Sequence, residues 1–127
     1  MQFRDSLSFT RISERTMLHR AGVPLLVGTD SPEPQVPPGL SMHQELEMLV
    51  ESGVPPAAAL RAATLTNATA LGENTRLGSV SEGKLGDIIW LSANPLEDIR
   101  NTRKIELVLR GGQICRPTEL LSRVPKH

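Results

Sequence analysis

One carboxylate stands where α/β proteins place reacting groups. Asp30 follows an apolar run, residues 23–27, and the pair Gly28-Thr29. A run that is apolar at consecutive positions predicts a strand buried on both faces of a parallel sheet. The carboxyl ends of such strands carry the catalytic groups of α/β barrels, so Asp30 is a candidate catalytic residue. The alternative that the residues leave open is an Asp that forms an Asx turn in the following loop.

The three histidines do not form a local metal-binding motif. His19, His43 and His127 are scattered, with no His-x-His or His-x-x-x-His pattern, whereas zinc needs three or four ligands. His43 lies near the start of a predicted helix, four residues before Glu47, so an exposed i,i+4 pair is the alternative to a functional role. His19 and His127 are expected to be solvated.

A glycine-rich segment resembles a phosphate-binding loop but does not complete one. Gly78 is followed after four residues by Gly83 and Lys84, yet Leu85 stands where a magnesium-binding Ser or Thr is required. A strand follows, where a helix N-terminus would be needed to hold the phosphate. The segment therefore predicts a turn ahead of a strand. A serine nucleophile has no support, because the sequence has no G-x-S-x-G elbow.

Composition argues against several classes of partner. Lys and Arg number 14 and Asp and Glu number 14, so we expect no electrostatic binding to nucleic acid or to an anionic membrane. One cysteine excludes an internal disulfide and an all-cysteine zinc site. No apolar run approaches the roughly 20 residues needed to span a bilayer, and residues 1–11 do not resemble a signal peptide. The cytoplasm is the default expectation, unless further sequence precedes the chain.

Helical patterns flank a Pro-rich loop, residues 31–39. The clearest begins at Ser41, where Ser41 and Gln44 predict a capping box and an apolar stripe includes Leu46 and Leu49. A Pro pair starts an alanine-rich helix, and Thr66 is expected to cap a short third one. Helices are predicted over residues 13–21, 41–52, 56–64 and 66–71.

The last third of the chain has a β pattern. Strands are predicted over residues 87–91, 105–110 and 113–116, and Gly111-Gly112 is a two-residue hairpin signal between the last two. The sequence thus predicts an α/β segment followed by a smaller β segment.

Six segments, in this order and spacing, resemble one family. They are AGVPLLVGTD (21–30), PGLSMHQELE (38–47), LRAAT (60–64), LGSV (77–80), EGKLGD (82–87) and NPLEDI (94–99). Together they resemble the C-terminal portion of the amidohydrolase superfamily, in the branch of imidazolonepropionase-like enzymes and metal-dependent Xaa-Pro dipeptidases. The resemblance covers roughly residues 13–116, and the combination is more specific than any single segment.

The resemblance implies an α/β fold class. Residues 1–76 would supply the last strand, 23–30, and the following helices of a (β/α)8 TIM-type barrel that is incomplete in this chain. Residues 77–127 would supply the C-terminal half of a small β-sandwich, with Trp90 in its core, and a tail. A complete barrel takes about 250 residues.

The resemblance also implies site residues. The family's metal ligands are a His-x-His on the first strand, a Lys or Glu on the fourth, histidines on the fifth and sixth, and an Asp on the eighth. Only the last has a match here, Asp30, which would be both metal ligand and catalytic base. Thr29, Ser31 and His43 would lie beside the substrate. The implied cofactor is a divalent metal, with zinc expected.

The implied function is hydrolysis of a C–N bond by metal-activated water. The bond would be an amide, cyclic amide or dipeptide-like bond in a small substrate. Because most ligands have no match, the chain is expected to be inactive alone, and to self-associate or bind a missing N-terminal chain. Two alternatives stay open: a non-catalytic, strand-exchanging assembly or binding module, and a truncated gene product without independent function.

Overall fold

The structure, a computed structural model, describes residues 14–32 and 36–122. Helices come first and a small antiparallel sheet follows. No helix in these ranges is long and apolar enough to cross a membrane. In chain order the elements are α1 (14–20), α2 (Leu40–Glu51), α3 (Pro56–Arg61), a π-helix (Ala62–Thr66), α4 (Asn67–Ala70), β1 (Ile88–Leu91), a 3-10 helix (Ile99–Arg103), β2 (Ile105–Arg110), β3 (Gln113–Cys115) and α5 (Pro117–Ser122).

The core forms where α2 packs against the helical stretch that begins with α3. The predicted stripe on α2 is confirmed, since Leu46 and Leu49 are buried and Met42 packs beside them. Val54 is 1% exposed in the link between the two helices. The buried cluster consists of Val27, Leu46, Leu49, Val54, Ala59, Ala62 and Ile99. The core thus joins the segment before Asp30 to the 3-10 helix of the sheet region.

The predicted capping box at the start of α2 is wrong. The helix begins at Leu40, its N-cap is Gly39 with φ 83°, and no side chain caps it. Ser41 therefore lies inside the first turn, where its hydroxyl donates to the Pro37 carbonyl at 2.9 Å. A serine within a helix commonly bonds the carbonyl four residues earlier, which is the geometry found here.

The two later predicted helices, 56–64 and 66–71, form one continuous helical stretch. Thr66 does not cap a new helix, because its backbone is itself helical, with φ −68° and ψ −42°. The stretch passes from α3 through the π-helix into α4 without a break. A π turn holds more residues than an α turn, so it changes which side chains of α4 face the neighbouring chain.

The predicted strand at residues 23–30 does not pair with another strand in the described residues. The segment is extended but belongs to no β-ladder there. A ladder needs a neighbouring strand to exchange backbone hydrogen bonds, and a single sequence does not show which strand that would be. Val27 is buried in the core, whereas Leu26 is 57% exposed. Burial of the apolar run on both faces is not seen among the described residues.

The sheet contains three antiparallel strands in the order β1-β2-β3. The predicted hairpin is confirmed: Arg110 pairs with Gln113, and the intervening Gly111 and Gly112 have φ 56° and 77°. Two positive φ values are what a two-residue type I′ turn requires. Asp87, predicted as the start of β1, lies just before it and accepts a hydrogen bond from the Gly111 N–H at 3.0 Å.

One face of the sheet is entirely apolar. The strand register pairs Ile88 with Leu109, Leu109 with Ile114, and Trp90 with Leu107, so these five side chains share a face. We call it the apolar sheet face. Trp90 is 60% exposed and Ile114 is 56% exposed. Trp90 is thus exposed in this chain, and its burial in the core of a complete sandwich stays a prediction.

The glycine-rich segment is a turn, as predicted. The Lys84 ammonium donates to the Ser79 hydroxyl at 2.7 Å and to the Leu77 carbonyl at 3.2 Å, so it closes the loop on itself. Gly78 lies against the π-helix and α4: a Cβ at this position would lie 2.7 Å from the Ala68 Cβ and 2.8 Å from the Leu65 Cα. Only glycine permits this approach, which fixes the loop against the helical stretch.

Candidate functional site

Asp30 lies at the end of the extended segment, on the surface. Its φ of 55° is in the left-handed region, which Asp tolerates better than most residues. The residue is exposed, and its carboxylate makes no hydrogen bond or ion pair with the rest of the described chain. The carboxylate is thus available to bind a ligand from outside these residues.

Thr29 and Ser31 shape the loop on either side of Asp30. The Ser31 N–H donates to the Thr29 hydroxyl oxygen at 3.4 Å, and the Ser31 hydroxyl donates to the Val36 carbonyl at 3.1 Å. Both residues are half-buried. Their observed contacts stabilise the turn that presents Asp30.

His43 is held by a residue far away in the sequence. Its ring Nδ1 lies 3.0 Å from the Thr102 Oγ1, and the Thr102 hydroxyl donates to the Ile99 carbonyl at 2.8 Å. Because that hydroxyl proton is already used, the Thr102 oxygen accepts from His43, which places a proton on Nδ1. The neutral ring then keeps its Nε2 lone pair.

The predicted alternative for His43, an exposed pair with Glu47, is not what the structure contains. Glu47 instead forms an ion pair with Arg103. The Arg103 Nε donates to Glu47 Oε1 at 2.7 Å, and the Arg103 Nη2 donates to Glu47 Oε2 at 3.0 Å. This two-bond geometry favours the ionised carboxylate and lowers the pKa of Glu47. The pair joins α2 to the 3-10 helix, beside the His43–Thr102 contact.

The pKa of His43 lies below its ordinary value. Partial burial is the largest cause, the Arg103 charge acts in the same direction, and Glu47 opposes both. The unfolded chain therefore takes up a proton before the folded chain as the pH falls. The contribution of His43 to the free energy of unfolding is fully present above its ordinary pKa of about 6.5. It is lost as the pH falls from there toward the lowered pKa of His43 in the folded chain.

We expect His43→Gln to flatten the fall in melting temperature between pH 7 and pH 5. The Glu47 carboxyl, with its lowered pKa, loses stability only at more acidic pH. Thermal unfolding at one fixed protein concentration measures the effect, with His19→Gln as the matched control. The pH dependence does not come from His43 if the melting temperature of His43→Gln falls with pH as steeply as that of the wild type. The same conclusion follows if both variants flatten the fall equally.

The described residues do not assemble a complete metal site. No group of three or more His, Cys, Asp or Glu side chains that could hold a metal ion occurs within 14–32 and 36–122. A carboxylate oxygen is a suitable zinc ligand, and Asp30 offers one that is exposed. Within the described ranges, Asp30 is therefore a candidate for one of the three or four ligands that zinc requires.

An open cavity of about 640 Å³ lies at the other end of the extended segment. Val23, Pro24 and Leu25 line one side, and Arg61 and Ala62 contribute from the helical stretch. None of Thr29, Asp30, Ser31 and His43 lines it. The cavity is thus separate from the predicted site residues.

Sequence reasoning missed two residues, Thr102 and Asn67. Thr102 contacts His43 across 59 positions, and Asn67 contacts the backbone of Val27 across 40. Neither separation leaves a local pattern in the sequence.

The chain belongs to the amidohydrolase family, whose profile matches residues 5–115. The family consists of TIM-barrel enzymes that generally depend on a metal. The membership confirms the resemblance found in the sequence.

Three relatives show how similar this chain is to individual known proteins. Ochratoxinase from Aspergillus niger is 35% identical over 100 residues, which cover 75% of this chain and 20% of that protein. A putative prolidase from Bifidobacterium longum superposes with a TM-score of 0.75 at 40% identity, covering 82% of this chain and 26% of its own. Molinate hydrolase gives a TM-score of 0.76 at 31% identity, covering 88% and 27%. The chain thus spans about a fifth to a quarter of the length of these relatives.

Proposed function

We propose that this chain is the closing portion of a metal-dependent amidohydrolase that hydrolyses a C–N bond. The observation that carries the proposal is Asp30, an exposed carboxylate at the end of an extended apolar segment inside the matched family region. Segment 23–30 would be the last strand of the barrel. Residues 1–76 would belong to the barrel and residues 77–127 to the sandwich and tail.

Asp30 would act as metal ligand and as general base. A divalent metal, zinc in our proposal, would supply Lewis-acid activation of water in the complete site. The Asp30 carboxylate would accept the proton of the attacking water and pass it to the leaving nitrogen. The remaining ligands would come from residues other than those described. Its exposure and its lack of a partner among the described residues support this role.

Thr29, Ser31 and His43 would border the substrate. The Thr29–Ser31 hydrogen bond would keep the Asp30 turn in shape, and the Nε2 lone pair of His43 would accept a hydrogen bond from a polar substrate group. A dipeptide-like or other small amide is the proposed substrate class, because relatives include proteins named as an Xaa-Pro dipeptidase and a prolidase. The proposed compartment is the cytoplasm.

We expect the isolated 127-residue chain to bind zinc weakly and without defined stoichiometry. Asp30 does not belong to a group of three or more His, Cys, Asp or Glu side chains among the described residues, so nothing there completes a site. Calorimetric titration of zinc into the wild type and Asp30→Ala tests this. A tight site with one or two ions per chain that Asp30→Ala abolishes would show that the chain contains ligands we have not recognised.

The second candidate function, an assembly module, rests on a different observation. The apolar sheet face is open, and segment 23–30 has no strand neighbour among the described residues. Mixing the chain with the preceding portion of the Bifidobacterium longum relative separates the two functions. Restored hydrolysis that depends on Asp30 supports the amidohydrolase, whereas association without hydrolysis supports the module.

A further inference from the structure

The Asn67 side chain holds the backbone of Val27 at both of its polar groups. The Val27 N–H donates to Asn67 Oδ1 at 3.2 Å, and Asn67 Nδ2 donates to the Val27 carbonyl at 2.8 Å. A neighbouring antiparallel strand makes the same two bonds to a residue in a hydrogen-bonded pair. One carboxamide thus replaces a strand neighbour at this residue.

The helical stretch around Asn67 orients its carboxamide and holds it in place. Asn67 is the first residue of α4, directly after the π-helix. Inserting one residue into a helix rotates all later residues by about 100°, the angle per residue of an α-helix. On the other side, Gly78 packs against Leu65 and Ala68 so closely that no Cβ would fit. The turn that carries Asn67 therefore has contacts on two sides.

The position of this contact matters because Asp30 is only three residues further along. An extended chain advances about 3.3 Å per residue, so Val27 and Asp30 are about 10 Å apart along the segment. If the carboxamide bonded Leu26 or Gly28 instead, Asp30 would move by about 3.3 Å and alternate side chains would change face. A catalytic group needs to be held within about 0.5 Å, so such a slip would remove it from the site.

We propose that Asn67 is a positioning residue: its two bonds to Val27 set the register of segment 23–30 and thereby place Asp30. The inference rests on the proposed function, since it assigns Asn67 a role only through Asp30. Satisfying the buried polar groups of Val27 is the purely structural alternative. The two roles differ in one respect: only positioning makes the metal site sensitive to Asn67.

Two variants separate the bonds, and a third controls for the helix. Asn67→Leu keeps the size of the side chain and removes both bonds. Asn67→Asp retains the acceptor for the Val27 N–H and loses the donor, with little change in shape. Thr69→Ala is the matched control, because among the described residues its hydroxyl donates only to the Leu65 carbonyl, at 2.8 Å, on the exposed side of the same turn.

The first readout is amide hydrogen exchange of Val27 in the 127-residue chain. Asn67→Leu is expected to raise the exchange rate at Val27 about tenfold, because the amide loses its acceptor. Asn67→Asp and Thr69→Ala should leave that amide close to the wild-type rate. An unchanged rate in Asn67→Leu would overturn the proposal, because it would mean that the two bonds do not hold Val27.

The second readout is the affinity and absorption spectrum of cobalt(II), used as a probe ion, in the chain completed with the barrel portion of the Bifidobacterium longum relative. Asn67→Leu is expected to weaken cobalt binding by about 10- to 100-fold, the range typical of outer-shell partners, and to alter the spectrum. The cobalt affinity of Asn67→Asp should lie between those of Asn67→Leu and the wild type. This variant remains informative if Asn67→Leu fails to fold.

Asp30→Asn in the same experiment separates the proposal from its premise. If Asp30→Asn weakens cobalt binding but Asn67→Leu and Asn67→Asp do not, Asn67 is merely structural and the inference is overturned. If Asp30→Asn itself leaves the affinity and spectrum unchanged, the proposed role of Asp30 fails, and the inference fails with it. Loss of cobalt affinity in Asp30→Asn and both Asn67 variants, with Thr69→Ala unaffected, supports the inference.

Discussion

Asp30→Asn is expected to lower turnover by about 10²- to 10⁴-fold, the usual cost of losing a general base, and damage to the metal site would add to it. The asparagine oxygen occupies nearly the same place as a carboxylate oxygen, but the amide cannot accept the proton of the attacking water. Because Asp30 is exposed and has no partner among the described residues, the fold should tolerate the change.

The experiment requires a complete enzyme, made by joining this chain to the preceding portion of the Bifidobacterium longum relative, which is 40% identical over the matched region. Steady-state turnover of an Xaa-Pro dipeptide and the bound metal content are measured together. Glu82→Gln is the matched control, since it removes an exposed carboxylate elsewhere. An Asn variant that keeps a large fraction of turnover would refute the assigned role.

The isolated chain is expected to self-associate through the apolar sheet face. Trp90 is 60% exposed there and Ile114 is 56% exposed, and large aromatic side chains dominate the energy of many protein contacts. Segment 23–30 adds an extended backbone whose only described partner side chain is Asn67, and unpaired extended segments recruit other chains. Burial of Trp90 against a second copy would remove this exposed surface from water.

Trp90→Lys is expected to weaken association about 30-fold, which corresponds to about 2 kcal/mol for a central aromatic contact. Light scattering after size exclusion measures the change. Leu71→Lys is the matched control, because Leu71 is 78% exposed but lies at the end of α4 and not in the sheet. A sharp monomer peak for the wild type, with slow amide exchange at Leu25 and Leu26, would contradict both the association and the idea that this chain is a portion of a larger enzyme.

Local patterns predicted the elements well where the cause is local. The stripe on α2 follows from helical spacing, and the Gly111-Gly112 turn follows from the positive φ that both residues adopt. The start of α2 shows the limit of such patterns. Ser41 and Gln44 have capping-box spacing, but Gly39 already occupies the N-cap, so Ser41 falls too late to cap the helix.

Contacts between distant segments were beyond prediction from one sequence. Helical spacing paired His43 with Glu47, whereas the fold brings Thr102 and Arg103 to these two side chains. The residue types at positions 62–66 do not predict a π-helix. Asp30 was selected as a candidate because the ends of buried parallel strands carry catalytic groups in α/β barrels, and its role stays a prediction.

The ion pair between Glu47 and Arg103 has a consequence for how pieces of such proteins can be exchanged. Both bonds cross from α2 to the 3-10 helix, and the His43–Thr102 contact crosses beside them. A recombinant that takes its sheet from one parent and α2 from another would have to match all four side chains at once. Viable crossover points are therefore expected before α2 or after the 3-10 helix, and the stretch from 40 to 103 should be inherited as one block.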